Sequence, residues 1–196
     1  MKFLNLLILA LCFCACTAGQ NIKKINETQG RVIPTFMTGP EQRTALKTTL
    51  EVREKAHSFL LLANKKEGYI NFKLIGDFAA VLASINLRGN DFEYESSSPL
   101  LSNPNVQRAL EEILLALFAP GTPVRRVSDT TPNKYENLEY NYYFKKGENL
   151  PYELKQKGET NKTFLFEDYD GNIPQKITVK TKFNVVKINF ELLAHD

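Results

Sequence analysis

From Thr44 onward, apolar side chains recur at every second position through most of the chain, and the pattern breaks only once. Leu46, Leu50 and Val52 alternate with Lys47, Thr49, Glu51 and Arg53, and Ile70, Phe72 and Leu74 alternate with Asn71 and Lys73. Val81, Ala83, Ile85 and Leu87 are interleaved with Ser84, Asn86 and Arg88, while Phe92 and Tyr94 sit between Asp91, Glu93 and Glu95. A period of two puts apolar side chains on one face of a strand and polar ones on the other. Turn-forming residues separate these runs: Asn64-Lys65-Lys66-Glu67-Gly68, then Gly76-Asp77, then Arg88-Gly89-Asn90. Short connections of this kind predict an antiparallel meander.

The break is a helix. Asn103-Pro104 offers a cap followed by proline at the first helical position. Val106, Leu110, Ile113, Leu114 and Leu117 follow at helical spacing, with Gln107, Arg108, Glu111 and Glu112 opposite and Pro120-Gly121 as the stop. Such a wide oily stripe must lie against another apolar surface. Alternation then resumes at Tyr140, Tyr142 and Phe144, at Phe164 and Phe166, at Ile177 and Val179, and at Val186, Ile188, Phe190 and Leu192. The pattern predicts a mainly β (α+β) domain of about ten strands, a strongly curved antiparallel sheet with one central amphipathic helix on its concave side.

The first residues are of a different kind. Met1-Lys2 precede the apolar stretch from Phe3 to Leu11, and Cys12, Cys14 and Cys16 are the chain's three cysteines. A positive start, a short apolar run and then small residues make a secretory signal. The run is too short for a membrane span, which needs roughly 20 residues. Cys16 alone follows a small residue, Ala15, so cleavage before it would leave a cysteine able to carry acyl chains. Phe13 occupies the third position before that cleavage point, where leucine is usual, and ordinary cleavage near Ala18 or Gly19 is the competing reading. Sequons at Asn26 and Asn161 would suit a eukaryotic secreted protein, but two such triplets carry no weight in a chain this rich in Asn, Ser and Thr. The expected organisation is a signal over 1–15, a flexible tether over 16–40 with breakers at Gly30, Pro34, Gly39 and Pro40, and a folded domain over 41–196. The domain contains no cysteine, so its core alone must hold it together.

Catalytic equipment is scarce. His57 and His195 have no cysteine or second histidine at ligand spacing, so no metal site is expected, and no Gly-x-Ser-x-Gly turn or phosphate loop occurs. Glu167-Asp168-Tyr169-Asp170-Gly171-Asn172 lacks the longer pattern of a calcium loop and predicts a polar hairpin. Tyr135, Tyr140, Tyr142, Tyr143 and Phe144 would need more basic neighbours to stack on nucleic acid, and a formal charge of +3 does not suggest that partner. They are expected to divide between core and rim. Neither an enzyme nor a cofactor is expected.

Lipoprotein signal, strand meander, central amphipathic helix and returning strands together resemble the LolA/LolB superfamily, and within it the LolB-like outer-membrane lipoproteins. The resemblance runs from about Thr44 to Leu193. It is strongest over Tyr69-Ile70-Asn71-Phe72-Lys73-Leu74-Ile75-Gly76-Asp77-Phe78-Ala79, over Ser98-Pro99-Leu100-Leu101 and over Leu110-Glu111-Glu112-Ile113-Leu114-Leu115-Ala116-Leu117-Phe118. It implies an unclosed antiparallel β-barrel lidded by the helix, whose interior accepts acyl chains of lipoproteins or lipids. It also implies a single chain anchored in the outer membrane through lipid on Cys16, facing the periplasm and receiving cargo from a periplasmic carrier protein. Phe72, Leu74, Ile85, Leu110, Leu114 and Leu117 are the expected pocket residues. Phe78 matches the position of an exposed, membrane-engaging leucine and either inserts into lipid or folds back to plug the barrel end. The absence of tryptophan and the single helix are departures from LolB itself. Two other readings remain: a structural lipoprotein of an envelope machine, marked by a filled interior, and a secreted lipid carrier.

Overall fold

The computed structural model describes residues 31–32, 41–52, 55–97, 104–119, 123–127, 133–158, 161–181 and 186–195. Within them the chain forms β1 (Arg31–Val32), β2 (Gln42–Val52), β3 (Lys55–Lys66), β4 (Tyr69–Ile75), β5 (Val81–Arg88), β6 (Asp91–Ser97) and helix α1 (Pro104–Phe118). The strands β7 (Pro123–Arg126), β8 (Lys134–Glu136), β9 (Tyr140–Phe144), β10 (Pro151–Gln156), β11 (Thr163–Asp170), β12 (Ile173–Lys180) and β13 (Val186–His195) follow. All thirteen strands join one sheet in the order β1-β7-β8-β9-β10-β11-β12-β13-β2-β3-β4-β5-β6. Each pairing between described neighbours is antiparallel, and β1 and β6 are the two edges, so the sheet is not closed. Arg31–Val32, inside the stretch expected to be a tether, pair with Val124 and Pro123 of β7.

Register turns the period-two sequence into continuous apolar rows. Leu46, Leu61, Leu74 and Ala83 stand side by side on β2, β3, β4 and β5. Leu154, Phe164, Val179, Ile188 and Leu50 form a second row across β10, β11, β12, β13 and β2. One cluster of buried apolar residues takes members from nine consecutive strands, β9 to β5, and from α1. At about 4.8 Å per strand, nine strands laid flat would span roughly 40 Å, whereas a helix with its side chains is about 10 Å across. Nine strands can share one core with a single helix only if the sheet wraps around it. The curvature follows from the burial pattern.

The structure sharpens several local expectations. β3 and β4 continue to a two-residue turn at Glu67-Gly68, where Gly68 has φ +81°, instead of stopping at Asn64. Thr44 and Thr48 share the inward face with Leu46, 2% and 0% exposed, so that face is less purely apolar than the leucines imply. Val106 is 40% exposed although it belongs to the apolar stripe of the sequence. The whole first turn, Pro104 to Val106, is exposed and stands clear of the sheet.

Candidate functional site: a helix seated in an apolar trough

α1 meets the sheet through its second half. Ile113, Leu114, Leu117 and Phe118 are 0–3% exposed, and Leu110, Leu115 and Ala116 pack partly buried against the same cluster. The Phe118 ring stands edge-on to Phe72 of β4 with centroids 5.1 Å apart. That arrangement suits the aromatic quadrupoles as well as burying area. Phe72 is flanked by Ala63 on β3 and Ile85 on β5, and the small Ala63 and Ala83 leave room for the rings.

Adjacent residues of the helix reach opposite walls. Glu111 accepts a hydrogen bond from the Tyr94 hydroxyl of edge strand β6 at 3.3 Å. Burial first, then the charge and hydrogen bond of Glu111, push that phenol up to about 12. Glu112 pairs with the Lys162 ammonium between β10 and β11; the Lys162 side chain is only 5% exposed, that of Glu112 20%. Gln156 Oε1 lies 3.5 Å from Lys162 Nζ, and Arg108 Nε donates to Glu112 from the outer side at 3.2 Å. Burial raises the Glu112 carboxyl, but the Lys162 hydrogen bond and charge, with Gln156 and Arg108, outweigh it and hold the group below its ordinary value of 4.5. The helix is therefore fastened to both sides of the trough by polar contacts above an apolar floor.

The six expected pocket residues converge here, but as contact surface. Phe72, Ile85 and Leu114 are 0% exposed, Leu74 and Leu117 3%, and Leu110 is half-buried. All but Leu110 are closed to solvent in this state. Phe78, on the β4–β5 turn, is fully exposed at 104%, and it does not plug the barrel end. Phe78 and Ala79 both hold left-handed φ angles, +56° and +59°, rare for residues with a Cβ. Cys16, and Ser98 to Leu101, lie outside the described residues.

Two features of the site escaped the sequence. Phe118, next to the helix stop, is as deeply buried as Ile113, Leu114 and Leu117 before it. The Glu112–Lys162 pair joins residues 50 positions apart, and neither has a local pattern that announces it.

The other candidate chemistry does not assemble. His57 is exposed on β3, while His195 Nδ1 lies 2.8 Å from Thr44 Oγ1. Their partners on β2, Leu50 and Thr44, are six residues apart, about 20 Å along the strand. The acidic segment forms the β11–β12 hairpin, turning at Gly171-Asn172, with Asp168 paired to Lys176 at 2.6 Å. It borders a surface cleft of about 640 Å³ lined also by Lys145, Glu148 and Tyr152. Among the described residues no group of three His, Cys, Asp or Glu could hold a metal ion, and no helix is long and apolar enough to cross a membrane. The tyrosines divide as expected. Tyr140 and Phe144 face inward and are buried, whereas Tyr143 lies on the outer face beneath Lys134 and Lys155.

These features define a class: one curved antiparallel sheet whose apolar hollow is occupied by one helix. The sequence matches no protein-family model and no curated protein. Among solved structures it is similar to a LolA superfamily protein from Nitrosomonas europaea, with TM-score 0.48, 9% identity and coverage of 82% of this chain and 87% of that one. It is also similar to an outer membrane lipoprotein-sorting protein domain from Vibrio parahaemolyticus, with TM-score 0.49 and the same identity and coverages. Likeness at this level supplies no residue-by-residue correspondence.

Proposed function

We propose that this chain is an outer-membrane lipoprotein, anchored through Cys16 and facing the periplasm, whose half-barrel takes up acyl chains and assists delivery of lipoproteins or lipids. The sequence resemblance motivates the reading, and the observation that carries it is the helix as cover. Lifting α1 would bare a continuous apolar trough, with Phe72, Leu74 and Ile85 on the sheet and Leu110, Leu114 and Leu117 on the helix. An acyl chain entering there takes the place of helix side chains.

The magnitudes allow this exchange. Burying Ile113, Leu114, Leu117 and Phe118 is worth roughly 6–12 kcal/mol, at about 1.5–3 kcal/mol per large side chain. An acyl chain of about a dozen methylenes contributes roughly 10 kcal/mol at about 0.8 kcal/mol each. Cargo and helix are therefore near balance, and transfer needs no energy source if affinities rise along the route. Cargo arrives from a periplasmic carrier protein in this account, and Phe78 meets the membrane.

A second reading is favoured by one observation, the closure of the helix–sheet interface to solvent. If α1 never lifts, the chain is a structural lipoprotein of an envelope assembly. A fluorescent fatty-acid analogue separates the two. The carrier reading predicts saturable uptake that is faster in Glu112→Gln, where the helix has lost its ionic fastening, and absent in Leu114→Asp with the far-ultraviolet dichroism retained. No saturable uptake by the native chain or by Glu112→Gln, with the fold intact, leaves the structural reading.

A further inference from the structure

Two large apolar side chains among the described residues are almost wholly in water: Phe78 at 104% exposure and Leu138 at 96%. They lie far apart in sequence, on the β4–β5 and β8–β9 turns. Strand direction places them on one end of the half-barrel. It alternates across the seven antiparallel pairings from β4 through β3, β2, β13, β12, β11 and β10 to β9, so the Ile75 end of β4 and the Tyr140 end of β9 lie on the same side of the sheet. The β3–β4, β5–β6, β9–β10 and β11–β12 turns occupy the other end. Seven strand intervals separate β4 from β9, roughly 34 Å around the arc, so the two tips stand on opposite walls.

Each tip is held outward by its own turn. Phe78 rides on two successive left-handed residues. Leu138 is presented by Asn137, whose Oδ1 accepts from the backbone N–H groups of Glu139 at 2.9 Å and Tyr140 at 2.7 Å. Lys157 supports this turn from beneath, donating to the Asn137 carbonyl at 2.7 Å and to Glu136 at 3.0 Å. Glu136, bonded first by Lys157 and also by Arg125 at 2.8 Å, stays below the ordinary carboxylate range and keeps the clamp charged. Neither apolar side chain is covered by any of the described residues in this arrangement.

We infer that Leu138 is a second membrane contact, and that Phe78 and Leu138 seat this end of the half-barrel against a lipid bilayer from both walls at once. The inference rests on the membrane reading of Phe78 given above and extends it from one point to an orientation. A protein partner would be served by a clustered patch with a desolvated centre. Isolated apolar tips on opposite walls instead suit a broad, yielding surface that accepts each of them separately. Two contacts fix which end faces the lipid, where one would leave the domain free to swing.

The test uses the full chain with Cys12, Cys14 and Cys16 replaced by serine and a single new cysteine carrying an environment-sensitive fluorophore. The label is placed in turn at Phe78→Cys, Leu138→Cys and Asn172→Cys, the last an exposed turn residue of the opposite end. On dioleoylphosphatidylcholine vesicles containing a nitroxide-bearing lipid, labels at 78 and 138 are expected to shift to the blue and lose emission, and the label at 172 to do neither. A label at 138 that stays water-like while that at 78 is quenched overturns the second contact, as does quenching at 172 equal to that at 138. If both 78 and 138 stay water-like, the membrane reading of Phe78 falls as well. Fatty-acid uptake, measured without vesicles, is decided separately.

Discussion

Phe72→Ala is expected to lower the free energy of unfolding by about 4 kcal/mol, the usual cost of deleting a fully buried ring and leaving the space behind. In urea, with a slope of about 2 kcal/mol/M, the midpoint should fall by about 2 M. The site is poor at collapsing, because Ala63 and Ala83 on the adjoining strands have nothing to extend into the gap and Ile85 is already wholly buried. Phe118→Ala should cost a similar amount. The double variant should lose less than the two singles together, since the edge-on ring contact is lost only once. This sub-additivity tests whether α1 is seated as described. Leu138→Ala, on an exposed tip, should move the midpoint negligibly.

The second large effect concerns the fastening. Glu112→Gln is expected to destabilise the fold by about 3 kcal/mol, because it leaves the Lys162 ammonium at 5% exposure without its counter-charge. Lys162→Met should cost less, since the Glu112 side chain is 20% exposed and keeps Arg108. Replacing both residues with apolar ones should recover most of the loss, the usual behaviour when a buried ion pair is exchanged for packing. The pH dependence has a definite sign. The folded-state pKa of Glu112 is depressed, so its stabilisation is fully present above the ordinary value of 4.5 and is lost as pH falls through the lower folded value. The native chain should therefore weaken progressively below about pH 4.5, and Glu112→Gln should show a shallower acid limb. Chemical denaturation between pH 3 and pH 7, with both proteins run side by side, checks this.

Much of the architecture is legible in residue order because the strands that carry it have one apolar and one polar face. β4, β5, β9 and β13 show this alternation, and the helix between Pro104 and Phe118 is set by proline punctuation and an apolar stripe. β3 is harder to read. Its run Phe59-Leu60-Leu61-Leu62-Ala63 hides the period because Leu60 and Leu62, on the outer face, are themselves half-buried, Leu60 beside Lys47 on β2 and Leu62 beside Lys73 on β4. The aliphatic stems of such lysines can cover apolar neighbours while their ammonium groups stay in water. β7 and β8 have four and three residues, too few for any period, and exist because their neighbours offer edges to pair with.

The site divides along a similar line. Its apolar floor follows from the alternation and from the resemblance, and Phe72, Leu74, Ile85, Leu114 and Leu117 lie on the helix–sheet interface. What the sequence does not carry is whether such residues enclose space or fill it, since both arrangements use the same side chains. Nor does it carry the fastening, because Tyr94 and Lys162 come within reach of consecutive helix residues only once the sheet has curved. β5 offers a similar lesson on its outer face. Ser84 and Asn86 read as solvent-facing, yet both are buried and donate to the Glu95 carboxylate at 2.7 Å, with Asn71 donating to Asn86 at 2.8 Å. These bonds hold the Glu95 carboxyl below its ordinary range and tie edge strand β6 to its neighbour.

Amide hydrogen exchange of α1, with and without a fatty acid, is the most direct measure of whether the helix is a removable cover. The account predicts that amides from Leu110 to Phe118 exchange well before those of the central strands β4, β5 and β12, and that fatty acid changes helix exchange while leaving those strands untouched. Helix amides that open only with global unfolding, at a rate indifferent to fatty acid, would contradict it.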